Sequence, residues 1–269
     1  MAPIRTGAWL ASLCAVTVTV LGGCSREPKD EPAPEAPAPI PALTLPAAPL
    51  VVERAQLLTV VGQSASAFAT GLPAPPAAAR LAGQRFSIRL PFGCLGPEET
   101  GAARYAFDAE KGSLKPTAQP EVWTGNQAIR DLVATPGTET IEGFWIPRPW
   151  ITTDACPALR PPPIVEGDGK IVPAPAPAAP TVGLVSTFEA GDSRLQQRGT
   201  RPYEVVRKAD APPVGALRLV LEGRIADGPG GPVVCRSDDP NRPPVCLVRV
   251  EFDRVAIEGA GGDLFGEWR

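Results

Sequence analysis

Thirty-five prolines in a chain of 269 residues restrict where helix interiors and sheet ladders can form, and many of them fall in three runs. The first occupies positions 28, 32, 34, 37, 39, 41, 46 and 49, interleaved with alanines and with Glu27, Asp30, Glu31 and Glu35. Residues 26–49 therefore read as an extended tether; at about 3.1 Å per residue, polyproline II would hold a domain up to roughly 70 Å from its attachment point. A second, short proline-alanine stretch covers Pro73–Ala79, and a third covers Pro161–Pro180. The last is either a linker between two parts or a long loop within one. Ordered structure is expected over residues 50–160 and again over 181–269, as two β-rich parts of one domain or of two.

Hydrophobic residues make up 43% of the chain, enough to bury an ordinary core. The net charge is −3, with no long run of either sign to follow a nucleic-acid backbone, so no nucleic-acid partner is expected. Histidine is absent, which removes the usual base of nucleophilic hydrolases and the commonest zinc ligand.

Val51, Ala55, Leu58, Val61, Ala65 and Phe68 recur at helical spacing and predict an amphipathic helix that docks on the core, stopped by Gly71 and Pro73. Its polar face lacks the lysines and arginines of a membrane-surface helix. Phe86, Ile88 and Leu90 then alternate with Arg85, Ser87 and Arg89, the pattern of a strand with one buried face. Further strands are expected at Arg104–Asp108, near Leu114, and at Thr138–Ile146, Tyr203–Lys208, Ala216–Ile225 and Val245–Glu258. In the last, Val248, Val250 and Phe252 have one parity and Val255 and Ile257 the other, so an extra residue near Asp253 and Arg254 is needed to keep both sets inward. The fold class is mainly β: a sandwich or barrel-like antiparallel sheet with one N-terminal amphipathic helix.

Gly7–Leu21 is an uncharged, largely apolar stretch preceded by Arg5, shorter than a bilayer-spanning helix, and reads as part of a signal peptide over residues 1–23. It runs into Leu21-Gly22-Gly23-Cys24, which resembles the lipobox of bacterial lipoproteins. That resemblance implies diacylglycerol on the Cys24 thiol, cleavage just before it, and acylation of the new amino terminus. Ser25 stands where enteric inner-membrane lipoproteins carry aspartate, so the implied place is the outer membrane, facing the periplasm.

With Cys14 in the signal and Cys24 lipidated, four cysteines remain, an even number that suits two disulfides in an exported chain. Three connectivities are open. Cys94 with Cys156 and Cys235 with Cys246 is preferred, because each pair then lies on its own side of the 161–180 run and the second staples a hairpin across Ser237–Asn241. No close cysteine pair suggests a zinc site. Gly191-Asp192-Ser193-Arg194 has only a faint likeness to the nucleophile block of GDSL-type esterases, which also require a histidine. Asp238 and Asp239 read as solvated turn residues.

Trp145 and Trp150 flank Pro147-Arg148-Pro149 and are candidate binding residues for a sugar ring, with Trp123 nearby. The favoured competing reading buries both indoles in the core. No catalytic residue, metal or cofactor is expected. The combined reading is a membrane-anchored periplasmic lipoprotein with a structural or binding role in the cell envelope. Its expected partners are the lipid bilayer, through acylated Cys24, and an envelope protein or peptidoglycan. The alternative is a carboxylate-dependent hydrolase or a carbohydrate-binding module.

Overall fold

The computed structural model describes residues 50–98, 100–158, 164–165, 171–172, 179–192, 198–199 and 201–269. The signal segment, Cys24, the tether, most of the 161–180 run and Ser193 lie outside the described residues. The chain opens with β1 (Val51–Glu53), α1 (Arg54–Ala69), the short α2 (Pro76–Ala79) and β2 (Arg85–Phe92). A hairpin of β3 (Ala103–Asp108) and β4 (Ser113–Ala118) is followed by β5 (Glu121–Val122), α3 (Gln127–Val133) and β6 (Thr138–Trp145). The two-residue strands β7 (Ile164–Val165) and β8 (Ile171–Val172) pair with each other before β9 (Val182–Glu189). Then come β10 (Tyr203–Glu204), β11 (Arg207–Lys208), β12 (Leu217–Ile225), β13 (Val233–Arg236), β14 (Val245–Glu258) and β15 (Leu264–Trp268). The protein is mainly β. Among the described residues no helix is long and apolar enough to cross a membrane.

Nine strands form the large sheet, whose main path runs β1-β2-β12-β14-β9-β6-β5, with β13 and β15 also paired to β14. In this path β12, β14 and β9, which follow the 161–180 run, lie between β1-β2 and β6-β5, which precede it, and residues 47–269 make one compact unit. The expected antiparallel sheet is a mixed one: β1 lies parallel to β2, and β9 parallel to β14. The first of these follows from connectivity, since α1 carries the chain back between β1 and β2 as parallel pairing requires. A smaller sheet pairs β4 with β3 on one side and with β10 and β11 on the other. The single strand expected at Tyr203–Lys208 is thus two fragments, interrupted at Val205 and Val206.

Strand β14 bears the sequence irregularity where it was expected. Glu222 of β12 faces Arg254 and Gly223 faces Phe252, leaving Asp253 as the extra residue. On one side of this bulge Cys246, Val248 and Val250 face the core; beyond it Val255 and Ile257 do. Without the insertion the last two would turn to solvent, and each buried aliphatic side chain contributes about 1.5–3 kcal/mol. The same core takes Phe86, Ile88 and Leu90 from β2, and Leu217, Leu219 and Leu221 from β12.

Helix α1 covers part of this core, with a buried face that differs from the expected stripe. Val51 belongs to β1, Ala55 and Phe68 are exposed, and the inward residues are Arg54, Leu57, Leu58, Val60, Val61 and Ser64. The shift arises because an arginine, Arg54, takes an inward position that hydropathy would not assign. The stop is as expected: Gly71 adopts φ 68°, and the Leu72 and Gly71 amides donate to the Ala67 and Phe68 carbonyls, closing the last turn.

The expectation of one helix is corrected by α2 and α3. Asn126 begins α3 by accepting from the Ile129 amide at 3.2 Å. At its other end Arg249 of β14 donates to the Val133 and Leu132 carbonyls, both at 2.7 Å, placing a cation where the helix dipole favours one. Ile129 and Val133 thereby pack into a second apolar cluster with Ile141, Val185, Val234 and Leu247.

The two bridges are Cys94–Cys156 and Cys235–Cys246. The second joins residues directly opposite each other on β13 and β14. On a chain-entropy account they contribute about 4 and about 3 kcal/mol respectively.

The bulge makes a testable demand on one glycine. A Cβ at Gly223 would stand 1.9 Å from the Glu251 carbonyl oxygen, whereas one at Gly62 on α1 meets nothing within 4 Å. In urea unfolding, Gly223→Ala is expected to lose about 2 kcal/mol or more, and Gly62→Ala to gain about 0.5–1 kcal/mol. Equal midpoints for the two variants would refute the register described here.

Candidate functional site

The first residue of α1 organises the most distinctive surface of the domain. Arg54 is 3% exposed, and its guanidinium is spent on backbone carbonyls of one loop. Nε donates to Ile151 O at 2.9 Å, and Nη2 to Pro147 O at 2.9 Å and Arg148 O at 3.3 Å. Three neutral acceptors thus hold a buried charge. Nη1 has no acceptor among the described residues. Burial pushes the Arg54 pKa below its ordinary value, the Asp154 carboxylate opposes that, and Arg148 reinforces it. The guanidinium still remains a cation at any physiological pH.

The loop held in this way is a tight turn. The Ile151 amide donates to Arg148 O at 2.9 Å, with Pro149 and Trp150 as the two central residues. Arg148 has φ 50°, the one non-glycine residue among those described with positive φ, and it precedes a proline. That conformation carries strain that persists only where surrounding contacts impose it, and Arg54 supplies those contacts. Cys156 fastens the downstream end of the loop to Cys94, just past β2.

At the tip of this pinned turn Trp150 is 73% exposed. Two residues further along the same loop a polar cleft of about 270 Å³ begins, lined by Glu53, Arg54 and Ala55 of the β1–α1 junction, Ser87 and Arg89 of β2, and Thr152, Thr153 and Asp154, with Trp150 itself outside the lining. The β2 residues of the cleft belong to a polar network on the outer face of the sheet. Ser87 Oγ donates to Glu222 Oε1 at 3.1 Å, and Arg89 lies 3.9 Å from Glu258. Arg254 bridges Glu222, Glu258 and Glu267 at 3.3, 3.7 and 2.8 Å. Hydrogen bonds from Arg254, then from Arg269, hold the Glu267 carboxyl below its ordinary pKa.

The two candidate tryptophans have separate environments. Trp145 packs against Trp123, ring centroids 4.7 Å apart, as part of the second apolar cluster. Both indoles lie over glycines: a Cβ at Gly143 would come within 2.6 Å of the Trp123 ring, and one at Gly183 within 3.0 Å of Trp145. Trp145 is therefore a half-buried packing residue, and Trp150 is the exposed one of the pair.

The other candidates are turn or structural residues. Asp238 pairs with Arg236, and Asp239 lies 3.5 Å from Arg242. Among the described residues no group of three or more His, Cys, Asp or Glu side chains could hold a metal. Buried Glu142 pairs with Arg198, whose guanidinium sits 4.8 Å from the Tyr203 ring centroid. Burial pushes the Glu142 pKa up, while Arg198 pulls it back.

Sequence reasoning passed over Arg54, Arg89 and Asp154. The available signal was the spacing of Arg54 from Leu57, Leu58 and Val61, which puts an arginine on the buried face of α1. Compared with known proteins, the chain matches no family model, no curated protein and no solved structure.

The separation of the two indoles is measurable. Trp145→Ala removes a ring packed on Trp123 and is expected to cost about 2 kcal/mol or more in thermal or urea unfolding. Trp150→Ala should cost under about 0.5 kcal/mol. Equal losses in the two variants would contradict the placement of either ring.

Proposed function

We propose that this chain is an exported lipoprotein, held at an envelope membrane through a lipid on Cys24, whose β domain binds a component of the envelope. One observation carries the anchor: Leu21-Gly22-Gly23-Cys24 directly follows the apolar stretch Gly7–Leu21. In that chemistry the Cys24 sulfur forms a thioether with the diacylglyceryl group of a membrane phospholipid, displacing its phosphate headgroup; water hydrolyses the peptide bond before Cys24; and the new α-amine takes an acyl chain from another phospholipid, which leaves as the lysolipid. Each buried methylene contributes about 0.8 kcal/mol, so one chain holds a protein transiently while two or three hold it firmly.

Two further features agree with this reading. Residues 26–49 have the composition of an extended tether. Cys94, Cys156, Cys235 and Cys246 are all bridged, as suits an oxidising compartment such as the periplasm. Ser25 favours the outer membrane as the destination. The binding role is supported by the polar cleft beside the pinned, exposed Trp150, mounted on a disulfide-tied frame.

Metabolic labelling with a radioactive fatty acid tests the anchor. The parent should incorporate label, and Cys24→Ser should incorporate none and accumulate as unprocessed precursor. Undiminished labelling of Cys24→Ser would overturn the proposal.

A further inference from the structure

We infer that Trp150 and the adjoining cleft form one binding site, and that its ligand is a neutral saccharide. The inference rests on the binding role proposed above, though not on the lipid anchor. Three observations converge on it. The first is the exposed indole at the tip of a turn that Arg54 holds by three hydrogen bonds and Cys94–Cys156 fastens downstream. An indole on a fixed backbone offers stacking area to the C–H face of a sugar ring, with only its two side-chain torsions left to order.

The second is the charge balance of the cleft. Glu53 and Asp154 contribute two carboxylates, Arg54 and Arg89 two guanidiniums. The carboxylates oppose a phosphate or an acidic sugar, and the guanidiniums oppose a cationic ligand. What remains favoured is an uncharged ligand rich in both donors and acceptors, for which these groups and the Thr152 and Thr153 hydroxyls supply complementary partners.

The third is size. At about 270 Å³ the cleft falls just below the roughly 300–1,000 Å³ of sites for drug-sized ligands. It suits a single sugar ring, with neighbouring rings of a chain passing over Trp150.

The test uses the full-length lipidated protein in detergent micelles, applied to a glycan array of neutral, amino and acidic sugars. The strongest hit is then titrated by calorimetry, with inorganic phosphate and anionic lipid vesicles as separate probes. Saturable binding of a neutral glycan is expected, weakened at least tenfold in Trp150→Ala at unchanged melting temperature and largely restored in Trp150→Phe. Asp154→Asn should weaken the same interaction without creating affinity for phosphate. The inference is overturned if no glycan is retained, if Trp150→Ala binds like the parent, or if acidic sugars, phosphate or vesicles are the preferred ligands. Loss of glycan binding with intact fatty-acid labelling removes this inference and leaves the anchor. Intact glycan binding without labelling does the reverse.

Discussion

Strand β14 hydrogen-bonds along its first half to β13 and β9 and along its second half to β12 and β15. Everything else hangs from that arrangement. Because its inward residues change parity between Val250 and Val255, this 14-residue strand can serve one core only if its phase is corrected once, and Asp253 is the correction. Gly223 opposite leaves room for the distortion, because its missing Cβ would overlap the Glu251 carbonyl. The first half is buried on both faces, with Cys246 and Val248 in the main core and Leu247 in the cluster under α3. One strand thus joins two hydrophobic regions.

Two buried arginines perform parallel tasks at the margins of this core. Arg249 reaches from β14 to the carbonyl end of α3, and Arg54 reaches from α1 to the carbonyls of the 147–151 turn. In each case a planar fork of donors satisfies backbone oxygens from a segment without a ladder partner of its own. Backbone outside the sheet ladders is thereby tied to the core, and at Arg54 the tied segment carries the exposed indole.

The alternating strands were legible in the sequence because each shows one face to water and one to the core. β2, β12 and β14 could be placed from their parity, and the bulge from the phase change between Phe252 and Val255. β9 was not recognised as a strand, since Val182–Val185 is buried on both faces and shows no alternation. β1 is three residues long, and its parallel partner follows α1, so local pattern carries no trace of it. The hairpin disulfide was accessible because Cys246 shares the inward parity of Val248. The cleft was hidden because its residues come from three separate stretches of chain, and hydropathy reads an inward arginine as an outward one.

The two bridges also differ in the time at which they can close. Cys235 and Cys246 are 11 residues apart, Cys94 and Cys156 62 apart. Loop-closure entropy separates the two encounters by about 1.5 kcal/mol, on the order of a tenfold difference in how often the thiols meet in an unfolded chain. The hairpin can oxidise as a local event, while the longer bridge gains a comparable encounter frequency only after β2 and β6 have been drawn together through the sheet. The segment bearing Trp150 is then locked after the hairpin. Closure of the longer bridge would report that the strands flanking it had already been brought together.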